Sequence, residues 1–238
     1  LPKNYRSIQQ WNHWLSQSLG HLLIQAEQEV LIKLLDSYFG KHGLFVGVPA
    51  QEKLFHSTVT AQSILLTPLL VKHQHYKIIE SDFYELPIRS GSVELVVLPH
   101  TLEHITNPQK LLSEACRIVK PEGHIIILGF NPLSLWGRKF KSILPGKVRK
   151  WLSLEDFELV RHENFLFRPP TQKKNLFHNL RFLETVGQKF LKPFGGVYVL
   201  IAKAKVIPLT PIRLRWKQHL SGLGVPSMMG PSMRDYTK

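Results

Sequence analysis

A chain of 238 residues with 43% hydrophobic residues is long enough for one α/β domain with a substantial core and a small appendage. No apolar run has the length of a membrane-spanning helix, since Ser63 to Val71 is short and contains Thr67 and Pro68; a single cysteine, Cys116, excludes an internal disulfide and points to a reducing, cytoplasmic setting. The net charge of +14 is uneven: residues 1–136 carry eleven basic and eleven acidic residues, whereas residues 137–238 carry twenty and six.

In chain order, the opening Leu1-Pro2-Lys3-Asn4-Tyr5 has no apolar export core, so no export signal is expected. Residues 6–39 predict two helices broken near Gly20. Trp11, Trp14, Leu15 and Leu19 recur at helical spacing, and Leu22, Leu23, Ala26, Val30, Leu34 and Leu35 continue it. Residues 1–40 thus form an N-terminal helical cap whose tryptophans dock it on the sheet. Gly43 to Gln51 reads as a first strand and turn, Ser63 to Thr67 as a second strand, and Tyr76 to Ile79 as a third after an abbreviated helix.

The most informative stretch is Glu80 to Phe130. An acidic turn with Asp82 and Phe83 precedes Val93 to Leu98, an apolar run without period-two alternation, which predicts a strand buried on both faces. Asn107-Pro108 starts a helix containing Leu111, Leu112, Ala115, Cys116 and Val119, where Cys116 reads as a small buried hydrophobe. Lys120-Pro121-Glu122-Gly123 stops that helix before the apolar strand His124 to Phe130. Strand, helix and parallel strand make a βαβ unit, and ligands of such sheets sit at the carboxyl ends of the strands. Asp82, Phe83, Pro99, His100 and Asn131 occupy those ends. His100 and His104 are four residues apart with no third ligand apparent, so no metal site is expected.

Further on, Arg138 to Lys150 predicts an exposed basic loop or short helix, and Ser153-Leu154-Glu155-Asp156 the start of a helix. Asn164 to Arg168 reads as a sixth strand, Leu176 to Phe190 as a helix and Gly195 to Ala202 as a seventh strand. Residues 205–238 form a basic, proline-rich tail, in which Arg213, Arg215 and Lys217 interleave with Trp216; such a segment either holds phosphates and stacks a base or serves as a flexible solubilising tail. The basic half as a whole, residues 137–238, predicts a polyanionic partner, nucleic acid or another anionic surface; a solvated basic face without a ligand has the same composition.

An Asp after the third strand, then Leu86-Pro87, then Ser92-Val93-Glu94-Leu95-Val96-Val97, then Leu102-Glu103-His104 and a helix ending in Lys120-Pro121-Glu122-Gly123, stand in the order found in a known family. The stretch resembles the class I S-adenosylmethionine-dependent methyltransferases, in particular the type 11 family. The resemblance implies an α/β, Rossmann-like fold over residues 41–204, with a seven-stranded, mostly parallel sheet flanked by helices. It implies S-adenosylmethionine as cofactor, with Gly47 in the glycine-rich turn and Thr67 at the ribose position. Asp82 would face the adenine amino group, Phe83 its ring, and Pro99 and His100 would line the pocket. His100 would be the base if one is needed.

The chain departs from the family pattern at Phe45, which stands where an acid is usual, at Pro49 and Gln51, which replace later glycines, and at Thr67, which replaces a second acid. Two functions are expected from this: methyl transfer to an anionic or nucleic-acid acceptor, or a catalytically inactive methyltransferase-like protein that binds through its basic half. Asn131-Pro132 bears comparison with the Asn-Pro motif of amino-group methyltransferases, but its following residues differ and Asn131 reads as a helix cap.

Overall fold

In a computed structural model, the described residues are 5–35, 42–55, 62–70, 77–171, 180 and 182–206. The chain divides into two units, Leu1–Val206 and Ile207–Lys238. The expectations for the tail, Arg213, Arg215, Trp216 and Lys217 included, lie outside the described residues.

The chain opens with α1 (Tyr5–Leu15) and α2 (Ser18–Leu35), broken at Ser16–Gln17 with Gly20 in the first turn of α2. β1 (His42–Val46) runs into a 3-10 turn (Pro49–Gln51) and the short α3 (Glu52–Phe55). β2 (Gln62–Thr67), β3 (Lys77–Glu80) and β4 (Val93–Pro99) come next, and a second 3-10 turn (Thr101–His104) leads to α4 (Pro108–Ile118) and β5 (Val119–Phe130). The chain continues through α5 (Leu135–Lys139), α6 (Pro145–Leu154), β6 (Phe157–Phe165), α7 (Phe182–Phe190), a 3-10 turn (Lys192–Phe194) and β7 (Val197–Ala204).

The seven strands form one sheet in the order β3-β2-β1-β4-β5-β7-β6. β1 to β5 pair in parallel, and β7 is antiparallel to both β5 and β6. The expected seven-stranded, mostly parallel sheet is therefore present. Order reverses between β1 and β4, which places the crevice for a ligand at Val46 and Pro99. The βαβ unit follows its local signals. Asn107 accepts from the Lys110 N–H (3.2 Å) at the start of α4, with Pro108 in the first turn, where a missing N–H costs nothing. β4 is buried along nearly its whole length, as its unbroken apolar run predicts.

Several boundaries differ from the sequence reading. α4 ends at Ile118, and Val119 to Gly123, expected as its last turn and stop, belong to β5, with Val119 paired to Val93. Pro145-Gly146 opens α6, because proline suits the first turn of a helix; Ser153-Leu154 then ends it, and Asp156 turns the chain with φ 59°. β6 accordingly begins at Phe157 and ends at Phe165, ahead of the expected Asn164 to Arg168. Its exposed, charged residues hide the strand pattern, which its pairing with the buried β7 supplies. The described helix before β7 starts at Phe182; residues 172–179 and 181, part of the expected helix, lie outside the described residues.

Candidate functional site

At the crevice between β1 and β4, the turn after β1 has every one of its backbone donors engaged within the chain. The Gly47 N–H donates to the Leu66 carbonyl (3.1 Å) and the Gln51 N–H to the Val48 carbonyl (3.0 Å). The Val48 N–H donates to Gln51 Oε1 (3.1 Å), the Ala50 N–H to Asn12 Oδ1 of α1 (2.9 Å), and Pro49 has none to offer. Gln51 is fully buried, and its Nε2 donates across the crevice to the Pro99 carbonyl (2.9 Å). A Cβ on Gly47 would fall 2.6 Å from Gln51 Oε1, so the glycine is required here by the glutamine side chain lying against it. Thr101 Oγ1, donating to the Val46 carbonyl (2.5 Å), completes the bridge from β4 to β1.

α1 covers this turn. Ile8, Trp11, Gly47, Gln51, Pro99 and His104 are among the residues around the cavity that remains, which measures only about 10 Å³. Pockets that bury small ligands run to roughly 300–1,000 Å³. Among the described residues, the space at this turn is too small for S-adenosylmethionine and the turn has no backbone donor to spare, so in this conformation it does not fit the cofactor. Phe45, at the position of the usual acid, is fully buried and packs on the Phe55 ring at 4.6 Å between centroids.

Beneath the cavity lies a charged constellation without solvent exposure. His100, the residue after β4, lies in the left-handed region (φ 57°, ψ 11°) and is fully buried. Its Nε2 donates to Glu27 Oε1 of α2 (2.6 Å) and its Nδ1 to Glu103 Oε2 (2.8 Å); Glu103 Oε1 accepts from the Phe130 N–H (2.6 Å). Burial acts to lower the His100 pKa, but the charges of Glu27 and Glu103 and their hydrogen bonds outweigh it and raise it to about 10. Burial also pushes the Glu103 carboxyl up, against the pull of His100. The group is thus an imidazolium clamped between carboxylates, joining α2, the end of β4 and the end of β5.

His104 is the opposite case. Burial, then the positive charges of His100 and Lys141, lower its pKa to about 3, so its imidazole stays neutral. The Trp11 ring stacks on it at 4.5 Å, and Trp11 stacks in turn on Trp14 at 5.1 Å. His104 Nε2, Trp11 Nε1 and Glu27 Oε2 are buried without a hydrogen-bond partner among the described residues. Such orphan groups cost free energy. Their concentration under α1 makes this a costly polar interior.

The crevice brings together Gly47, Phe83, Pro99 and His104 of the residues singled out from sequence, with His100 directly below. It does not include Thr67 or Asp82. Thr67 is buried, and its Oγ1 accepts from the Leu69 N–H (3.3 Å); Asp82 is exposed, and its Oδ1 accepts from the Tyr84 N–H (3.3 Å) as a turn cap. Asn131 is buried: its Nδ2 donates to the Pro193 and Gly195 carbonyls and its Oδ1 accepts from the Leu133 N–H, so it ties the end of β5 to the approach to β7. Cys116 is buried as expected, and burial followed by the Glu155 charge pushes its thiol pKa up. Sequence reasoning missed Glu27, Glu103 and Asn12. Glu27 did leave a signal, since it lies four residues from both Leu23 and Leu31 on the buried face of α2. No group of metal-ligating side chains occurs among the described residues, and none of their helices is long and apolar enough to cross a membrane.

Residues 53–127 match the type 11 methyltransferase family, described as a methyltransferase domain. YafS of Escherichia coli (strain K12), described as an uncharacterized protein, is 31% identical over an alignment 145 residues long that covers 56% of this chain and 57% of that protein. The chain thus spans little more than half the length of this curated relative. Among solved structures, the fold is similar to a SAM-dependent methyltransferase from Archaeoglobus fulgidus, with TM-score 0.54, 18% identity and coverage of 74% of this chain and 94% of that one. A SAM-dependent methyltransferase from Mesorhizobium loti gives TM-score 0.53 at 11% identity, covering 74% and 96%. The [4+2]-cyclase SpnF gives 0.55 at 14% identity, covering 76% and 80%. Residues 53–127 thus resemble a methyltransferase domain, and the fold is the one shared with these solved methyltransferases.

Proposed function

We propose that this protein is an S-adenosylmethionine-dependent methyltransferase whose described conformation is closed to the cofactor, and that its acceptor is anionic. The observation that carries the reading is the match of residues 53–127 to a methyltransferase domain, on a sheet whose switch point lies at Gly47 and Pro99. In this reading α1 is the part that moves. It is held over the crevice by the Asn12 bond to Ala50 and by Trp11, and lifting it uncovers Gly47, Phe83, Pro99 and His104. Turning the Gln51 side chain away frees the Val48 N–H.

His100 has a positioning role here, because an imidazolium already bound to two carboxylates has no site left to accept a proton. His104 is the neutral imidazole of the crevice, with an unpartnered Nε2 that can hydrogen-bond to an acceptor group; a pKa lowered to about 3 makes it a hydrogen-bonding group and not a base. The basic second half supports the anionic character of the acceptor.

A second reading, a methyltransferase-fold protein that binds without catalysis, is favoured by the engaged donors of the 47–51 turn and the cavity of about 10 Å³. Folds host unrelated chemistries, as the similar cyclase illustrates. Calorimetric titration of the full chain and of its Gln51→Ala variant with S-adenosylmethionine and S-adenosylhomocysteine separates the two. Saturable micromolar binding, tighter in the variant, supports the methyltransferase. No heat up to millimolar ligand in either protein supports the binding protein.

A further inference from the structure

The basic half of the chain has a feature that its charge alone does not explain. α5, with the turn before it, and α7, with the 3-10 turn after it, enclose a cavity of about 290 Å³. Leu133, Leu135, Val186, Leu191 and Phe194 reach it from both sides, and all five are exposed. On α7 itself, Phe182, Val186 and Phe190 recur every four residues and so lie along one helix face, with exposures of 59%, 42% and 71%. The helix sits on the body of the domain through Gly187, where a Cβ would come within 2.1 Å of the Phe167 ring. A helix of a globular domain ordinarily turns its apolar stripe inward. This one seats its glycine inward and leaves two phenylalanines and a valine outside.

Cations lie on and beside the apolar face: Arg138 lines the cavity, and Lys189 and Lys192 belong to α7 and the turn after it. Residues 133–154 contain six Lys or Arg and no acid. Residues 182–194 add Lys189 and Lys192 and one acid, Glu184, which is taken up by Arg168 (2.9 Å). Lys189 stands 5.4 Å from the centre of the Phe190 ring, so charge and aromatic side chain share one spot.

The kind of polyanion is narrowed by this mixture. Nucleic acid is met by cations and by aromatic rings that stack bases, and protruding Leu and Val side chains gain nothing against phosphates. A bilayer with anionic headgroups offers partners to both kinds of side chain: hydrocarbon for the apolar ones and phosphate for the lysines. We infer that the face formed by α5, α7 and Lys192–Phe194 docks this protein on an anionic phospholipid membrane, with Phe182, Val186, Phe190 and Phe194 entering the headgroup boundary. The inference rests on this surface and is independent of methyl transfer.

Co-sedimentation of the full chain with vesicles tests it, comparing pure phosphatidylcholine with equal parts phosphatidylcholine and phosphatidylglycerol, and with a duplex DNA in parallel. The protein is expected to pellet with the anionic vesicles and stay in solution with the neutral ones. Replacing two of the three exposed phenylalanines (Phe190→Ser, Phe194→Ser) should weaken partitioning by about tenfold or more, as expected for withdrawing two aromatic side chains from hydrocarbon. Lys189→Glu with Lys192→Glu should weaken it comparably at low salt and less at high salt. All four side chains are exposed, so unchanged melting temperatures would show that folding is intact. Absence of vesicle binding, equal binding to both vesicle types, or unchanged binding by the phenylalanine variant would overturn the inference. Tight DNA binding without vesicle binding would overturn it in favour of a nucleic-acid surface.

Discussion

Replacing His100 by Asn isolates the buried ion cluster, because Asn tolerates the left-handed backbone at this position (φ 57°) and carries no charge. The two contacts of 2.6 and 2.8 Å each correspond to roughly 6 kcal/mol of attraction at an effective dielectric of about 20. Desolvation of three ions offsets much of that, so the net value of the cluster is far smaller than the sum. Removing the cation alone leaves Glu27 and Glu103 buried against each other, which should cost about 3–5 kcal/mol. At about 2–4 °C per kcal/mol for a chain of this size, the melting temperature should fall by roughly 10 °C. Glu27→Gln in the same background removes one of the stranded carboxylates and should recover part of the loss. Urea unfolding of wild type, both single variants and the double variant at neutral pH gives the coupling, expected near 2 kcal/mol or more. Additivity of the two changes to within about 0.5 kcal/mol would refute the cluster as an interacting unit.

The two histidines predict a stability maximum near pH 6.5, measured as melting temperature against pH. His100 has its folded pKa raised to about 10, so its contribution is complete below about 6.5 and is lost as pH rises towards 10. His104 has its folded pKa lowered to about 3, so below about 6.5 the unfolded chain takes up a proton that the native state refuses, and stability falls on acidification. Asn12→Ala should remove the cap on the Ala50 N–H, cost about 1 kcal/mol and speed hydrogen exchange along α1 more than along α4. Equal exchange in the two helices would separate α1 motion from the crevice. Cys116 should resist alkylation by N-ethylmaleimide until the protein unfolds, since its thiol is buried and its pKa raised; rapid labelling of native protein would contradict that placement.

Local signals sufficed for much of the fold. Val93 to Leu98 had to be a strand buried on both faces, and Asn107-Pro108 had to begin a helix, because caps, prolines and apolar runs act on neighbours a few residues away. The same locality explains the errors. Pro145-Gly146 supports either a loop or a helix start, and β6 is exposed and charged enough that only its ladder with β7 defines it. Sequence also showed that Phe45, Pro49, Gln51 and Thr67 break the cofactor pattern, since a missing glycine or acid is visible without coordinates.

The consequence of those replacements was decided by tertiary structure alone. Gln51 reads as a lost glycine but acts as a strut, bonding Val48 on one side of the crevice and Pro99 on the other. His100 reads in the sequence as a lone histidine after a strand, and only the fold brings Glu27, 73 residues away, to 2.6 Å from it. Charge state depends on burial and on neighbours in space, and neither is written in the residues beside a histidine. The composition determined that this chain has a basic half; only the packing of Gly187 against Phe167 determined that the half presents phenylalanines along with its lysines. The physical reason is the same in each case: propensity and patterning act over a few residues, whereas a side chain's partner is chosen by whatever the sheet and helices bring against it.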